Sequence, residues 1–334
     1  GNTPNGMATP GDEEQLRLLQ FGPAWGAPSL LPACTKVNTY LRFCSLQPGC
    51  DFVVEEPSAA QAAWAHTLPV VSAGAELIET SSLYARLRAR GFDPDVSLTP
   101  SQRAESAAWT ALVEERLGLS LIYSWWEEAD NYNHVIRPAF AARLPIPLCF
   151  YMPWTMRRRM HSQLSRRSCL DPEAAYTIGE EALAALSERL GERRYFHGDT
   201  PSSVDASAFA YLTAVLRCPL PSERLRIAMR SHENLVRYCE AICYSYFGEA
   251  EELLPPLPVP SSKDPAVGSK GLYSSEVPPS VEPTLSSRTP KQERFKRRSR
   301  NALIAAGASA LIYGLANNVL GETEELEEYD SEGE

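Results

Sequence analysis

Residues 201–216 read PSSVDASAFAYLTAVL. Ser202 and Asp205 have the S-x-x-D spacing in which a capping side chain and an acid three residues on satisfy the orphan N–H groups of a helix start, and the helix then runs from Ala206 to Leu216. This pair reads as a structural cap. The chain around it is helical from Thr99 onward. Trp109, Val113, Leu117, Leu121 and Trp125 recur every four residues, with Leu112 and Ile122 beside them, and predict a long amphipathic helix with core on more than one side. Asp171 caps a further helix, Pro172 takes its first turn, Tyr176, Leu183, Leu186 and Leu190 form its buried stripe, and Gly191 ends it.

Towards the N-terminus the pattern changes. Leu16 to Phe21 reads as a strand, Ala33 to Cys44 as a helix, Phe52 to Val54, Leu68 to Val71 and Glu76 to Ile78 as strands, and Ser81 to Arg90 as a second helix. Gly74 sits between two short apolar runs, as a hairpin turn needs, and Gly91 follows the second helix at a C-cap position. The order β-α-β then β-β-α predicts a small α/β sheet ahead of the helices.

At 334 residues and 44% hydrophobic content the chain has material for two folded domains and a tail. Its net charge of -10 is local: Glu322 to Glu334 holds eight acidic residues and no basic one, which leaves -2 for the rest. No basic face interleaved with aromatics occurs in the folded part, so nucleic-acid binding is not expected. The eight cysteines, at 34, 44, 50, 149, 169, 218, 239 and 243, form no CxxC pair and no zinc spacing with histidine, and read as reduced, mostly buried thiols. Gly1 to Glu14 shows no basic-then-apolar signal region, so the folded part is expected to face the cytosol.

Glu251 to Pro290 holds nine prolines and eight serines without periodic apolar spacing, and is expected to be an extended tether. The basic run Lys291 to Arg300 follows, with Lys296, Arg297, Arg298 and Arg300, and then nineteen mostly small or apolar residues, Ala302 to Leu320. As a helix that segment reaches roughly 28 Å, against ~30 Å for a bilayer core, although Asn317 and Asn318 shorten its strictly apolar part. Leu303, Ile304, Leu311, Ile312 and Leu315 encircle the helix and leave no polar face for water. The layout predicts a tail anchor in the outer membrane of an organelle, where a short span with a basic flank fits better than in a thick plasma membrane. Ala306, Ala310 and Gly314 form a small-residue groove for another membrane segment. Gly307, Ser309 and Gly314 keep open the alternative of an amphipathic or buried helix in a soluble domain. The expected organisation is thus a disordered N-terminus 1–14, an α/β domain 15–95, an all-helical domain 100–248, a linker 249–290, a basic flank 291–300, a transmembrane anchor 301–320 and an acidic tail 321–334.

Candidate chemistry is sparse. Cys34 lies near the start of the first helix, where a helix N-terminus lowers a thiol pKa and supports nucleophilic attack; a packed, reduced cysteine is the alternative. Glu79, Thr80 and Ser81 begin the second helix, where backbone N–H groups hold a carboxylate, or where Thr80 or Ser81 simply caps. Trp125, Trp126, Glu127 and Glu128 do not read as a shared site, because helical neighbours point about 100° apart; one Trp is expected in the core and the acids on the surface. His66, His134, His161, His197 and His232 show neither HExxH nor other motif spacing, so no metal or triad is expected. Arg157, Arg158 and Arg159, beginning a helix near Trp154, read as a solvated face or as a contact for an acidic partner surface.

Leu68-Pro69 and Glu79-Thr80 in the α/β half, followed by Ser202-Ser203-Val204-Asp205 among the helices, resemble the glutathione-transferase fold: α/β plus all-α, an N-terminal thioredoxin-like domain and a C-terminal helical domain, here with a C-terminal transmembrane helix. More closely, the chain resembles the metaxins. The resemblance rests on Leu112 to Leu117, Trp126 to Tyr132, Leu144 to Leu148, Pro153, Met156 and Met160, Leu186 to Gly191, Pro201 to Phe209 and His232 to Tyr238, in order along residues 16 to 247. The Pro-rich linker and acidic end look most like the plant-type metaxins. The resemblance implies a non-catalytic subunit of the mitochondrial sorting and assembly machinery, on the outer membrane with its folded domains facing the cytosol. Its implied partners are an integral β-barrel insertase subunit, another transferase-fold subunit, β-barrel precursor proteins and membrane lipid, with no cofactor. It also implies a cis Leu68–Pro69 bond. Cys34 with Glu79-Thr80 partly matches a transferase site, which keeps open a membrane-tethered glutathione-dependent thiol enzyme using Cys34; a tether at organelle contacts is a third alternative.

Overall fold

A computed structural model describes residues 15–58, 61, 67–74 and 76–248. The tether, basic flank, expected membrane span and acidic tail lie outside the described residues, as do Leu303, Ile304, Ala306, Ala310, Leu311, Ile312, Gly314 and Leu315. Among the described residues no helix is long and apolar enough to cross a membrane.

Strands β1 Leu16–Leu19, β2 Phe52–Glu55, β3 Val70–Ala73 and β4 Glu76–Ile78 form one sheet in the order β2-β1-β3-β4. Helix α1, Pro32–Phe43, is the crossover that lets β1 and β2 run parallel; β3 pairs antiparallel with β1, and β4 with β3. Leu18 pairs with Val54 on one side and Val71 on the other. The alternation of buried Leu16 and Leu18 with exposed Arg17 turns one face of β1 to the core. Gly74, at φ 57°, makes the β3–β4 turn, and α2, Thr80–Ala89, closes this half by burying Leu83 and Leu87. Several boundaries differ from expectation by one or two residues, and two of these shifts have a clear consequence or cause. β1 stops at Leu19, so that Phe21 leaves the sheet and packs edge-on against Phe140 at 5.7 Å. β3 starts at Val70, because Pro69 has no N–H to give a ladder; the Leu68–Pro69 bond is cis, as expected, and Ile146–Pro147 is also cis, which was not.

The helical half opens with α3, Pro100–Leu112, under a reciprocal Thr99–Gln102 cap. The rod continues through a π turn Val113–Leu117, α4 Gly118–Ile122 and a second π turn Tyr123–Glu127. α5 Ala129–Asn131, a third π turn Tyr132–Ile136 and α6 Arg137–Ala141 reverse the chain, and α7 Leu148–Arg166, α8 Pro172–Leu190, α9 Ser203–Arg217, α10 Arg224–Arg230 and α11 Glu233–Phe247 follow. The π turns correct one expectation. Their wider turn slows the angular step per residue, so the four successive residues Tyr123 to Trp126 are all buried, and both tryptophans belong to the core. Glu127 and Glu128 are half-buried rather than on the surface, Glu127 beside His161 at 3.2 Å and Glu128 accepting the Tyr176 hydroxyl at 3.1 Å.

α9 is the hub. It buries Val204, Ala206, Ala208, Phe209, Leu212 and Leu216, and it packs against α1 of the sheet half as well as α3, α10 and α11. Buried residues of both halves therefore form one continuous core. Gly179 of α8 permits a close helix contact: a Cβ there would lie 2.3 Å from Ser120 Oγ and 2.8 Å from Leu225 Cδ2.

Candidate functional site

The sequence places three groups near a transferase-type site, and the fold buries Cys34 while leaving Glu79 exposed. Pro32 takes the first position of α1 behind Leu31, which gives no side-chain cap, and Cys34 follows two residues further in. Cys34 has no solvent exposure. Burial pushes its thiol up to about 12, and hydrogen bonds from Ser29 and the Phe21 backbone pull back only weakly. The expected effect of a helix N-terminus loses to desolvation, so the thiol stays protonated at neutral pH and offers no nucleophile. Glu79 is the exposed N-cap of α2 and makes no side-chain cap, while Thr80 is the first helical residue and is half-buried. Neither Thr80 nor Ser81 caps the helix, which corrects that expectation. Glu79 faces water and Cys34 does not, so no common surface presents them to one ligand.

The seam between the halves is filled by side chains. Trp25, in the loop after β1 at φ 53°, meets Trp125 of the second π turn edge-on with ring centres 5.8 Å apart. Arg143 Nη2 donates to the Pro23 carbonyl at 2.7 Å. Lys36 of α1 pairs with Glu114, which also accepts the Ser207 hydroxyl at 3.1 Å.

Ser202 and Asp205 form the expected cap, and more. The Asp205 carboxylate accepts from Ser202 N at 2.9 Å, Ser202 Oγ at 2.5 Å, Phe196 N at 3.0 Å and Tyr238 Oη at 3.1 Å, and the Tyr238 hydroxyl also reaches the Asp205 carbonyl at 3.1 Å. One carboxylate thus ties the start of α9 to α11 and to the turn at Phe196. Burial raises the Asp205 carboxyl to about 6, against the opposing hydrogen bonds from Ser202, Phe196 and Tyr238.

No metal site competes for attention: among the described residues no group of three or more His, Cys, Asp or Glu side chains converges. All eight cysteines are unpaired, and six are buried. The surface feature that sequence reasoning missed is on α7. Phe150, Tyr151 and Trp154 are exposed, and Arg158 lies over Trp154. The arginine run does not begin the helix as expected but sits in its middle, with Arg157 stacked on the Tyr132 ring at 4.4 Å. The available signal was the spacing of Phe150, Trp154 and Arg158, four residues apart on one helical face.

A four-stranded β2-β1-β3-β4 sheet with a cis-proline ahead of β3, joined to a helical half built on a capped, largely buried helix, defines a protein of the glutathione-transferase fold class. Residues 179–242 match the family model "Glutathione S-transferase, C-terminal domain", and residues 34–157 match "Outer mitochondrial membrane transport complex protein". The chain is 30% identical over 249 residues to Metaxin-3 of Danio rerio, covering 71% of this chain and 77% of that one. It is 29% identical over 318 residues to Metaxin-1 of Macaca fascicularis, covering 91% of each. The solved glutathione transferase GSTFuA3 of Phanerochaete chrysosporium aligns over 74% of this chain and 100% of its own at 14% identity and a TM-score of 0.49. The chain belongs to the metaxin family.

Proposed function

We propose that the protein is a non-catalytic subunit of a mitochondrial outer-membrane protein transport complex, in which it helps β-barrel precursors to be received, folded and inserted. The observation that carries this reading is the family match, which joins metaxin relatives along most of the chain to a transport-complex model over residues 34–157. The sealed Cys34 supports use of the fold as a binding surface rather than a catalyst. In this reading residues 301–320 anchor the chain, Lys296, Arg297, Arg298 and Arg300 hold the cytosolic side, and the folded part faces the cytosol. Its partners are an integral barrel insertase, a second transferase-fold subunit and the precursors themselves.

Two measurements test this. Isolation of the intact chain from its native membrane in mild detergent, followed by mass spectrometry, is expected to recover an outer-membrane barrel protein and other transferase-fold subunits. Complementation with Cys34→Ala is expected to be complete. Recovery of the chain alone, with glutathione conjugation that disappears in Cys34→Ala, overturns the proposal in favour of a tethered thiol enzyme.

A further inference from the structure

The solvent face of a helix in a water-soluble domain is normally polar. On α7 that face carries Phe150, Tyr151 and Trp154, exposed by 62%, 54% and 54%, and Ile146 just ahead of the helix is 73% exposed. These aromatic tips are not isolated. The Tyr151 and Trp154 rings lie 6.1 Å apart, and one turn further along the same face the Arg158 guanidinium sits 5.9 Å from the Trp154 ring. Arg159 and Arg166 are exposed as well, and α7 contains no acidic residue in its 19 positions.

The acids that approach α7 from other elements are already engaged. Glu127 lies beside His161 at 3.2 Å, and Glu115 pairs with Arg167, just past the helix, at 2.5 Å. Among the described residues no acid pairs with Arg158, Arg159 or Arg166. In a chain of net charge -10 this face is therefore locally cationic, with aromatics at one end.

We propose that this face of α7 docks on the anionic headgroup surface of a phospholipid bilayer. Phe150, Tyr151 and Trp154 enter the headgroup boundary, where amphipathic rings are favourable, and Arg158 meets lipid phosphate, with Arg159 at the edge of the same exposed arc. Charge complementarity selects this occupant. A protein partner would need a matched acidic recess, whereas a lipid surface accepts a projecting row of aromatic tips without one, and neither described cavity is lined by α7. The proposal takes its setting, a membrane, from the function proposed above; the contact itself is read from α7.

The test uses the full chain reconstituted into phosphatidylcholine vesicles with and without phosphatidylinositol, in which a fraction of the lipid carries brominated acyl chains. Subtracting the emission of Trp154→Phe isolates Trp154. Its emission is expected to shift to the blue and to be quenched by brominated lipid in the anionic vesicles, with the effect lost at high salt. Arg158→Gln is expected to weaken docking roughly fivefold, and Arg159→Gln, at the edge of the face, by less. Emission that stays red-shifted and unquenched in anionic vesicles overturns the proposal. If Trp154 is unquenched there yet shielded from aqueous iodide in native outer membranes, a protein covers the face and the lipid assignment is wrong. Flotation with neutral vesicles reads the anchor separately: a chain that fails to float there but shows quenched Trp154 in anionic vesicles loses its anchor and keeps this contact.

Discussion

Removing one carboxylate from the middle of the molecule should cost a large share of its stability. In Asp205→Ala, the Phe196 N–H, the Ser202 N–H and the Ser202 hydroxyl lose their acceptor, while Tyr238 retains the Asp205 carbonyl. Phe196 and Ser202 are buried, so water does not replace the lost partner. Each orphaned donor costs about 1–3 kcal/mol, and loss of a helix cap typically about 1 kcal/mol. The Ser202 hydroxyl can rotate, and removal of a carboxylate that burial disfavours returns part of the sum. The net loss should be about 3–5 kcal/mol, against about 5–15 kcal/mol for a whole folded protein. Urea unfolding of the chain in mild detergent, followed by tryptophan emission and far-UV circular dichroism, should show a midpoint lower by roughly 1–3 M. Asp205→Asn, which keeps one carbonyl acceptor, should recover about half the loss. A midpoint for Asp205→Ala within the equivalent of about 1 kcal/mol of the parent, or Asn no better than Ala, would refute the idea that this carboxylate locks α9 to α11.

The same group makes a pH prediction. Its folded pKa, near 6, lies above the ordinary 3.8, so the folded state holds more protons between those values; the contribution is full below pH 4 and is lost as pH rises towards 6, by about 3 kcal/mol. Subtracting the Asp205→Asn pH profile from the parent's should isolate that falling limb, and a flat difference would contradict it. Gly179→Ala should lower the melting temperature by several degrees, because overpacking against fully buried Ser120 costs about 1–3 kcal/mol and exceeds the helix-propensity gain of about 1 kcal/mol; a rise would show that α4 and α8 can separate freely. Towards a neutral thiol reagent in the native state, exposed Cys50 should react first and Cys34 only on unfolding; peptide mapping that finds Cys34 modified early would mean that its pocket opens.

Much of this fold was legible because its signals are local. The Asp171 and Ser202–Asp205 caps, the Gly74 turn and the end of α8 at Gly191 each depend on a few neighbouring residues, and the structure has all of them. Periodicity failed where the period itself changed: the π turn over Tyr123–Glu127 buries both Trp125 and Trp126, which a 3.6-residue wheel sets apart. The candidate thiol site failed for another reason. A helix N-terminus is visible in sequence, but the solvent exposure that would let it activate Cys34 depends on packing by Ser29 and the Phe21 segment, and spacing carries no record of that. The aromatic face of α7 was hidden because the sequence does not show which side of the helix turns inward, and the structure gives that role to Met152, Met156 and Leu164.

The packing of α1 on α9 also has a consequence in time. The two helices are separated by roughly 160 residues of chain, so at about 5–20 residues per second a ribosome releases α9 on the order of ten to thirty seconds after α1. Throughout that interval the newborn sheet half has its strands but lacks the helix that covers its apolar side. Synthesis of this protein therefore includes a waiting period in which that side lacks its partner helix and is open to other nascent chains.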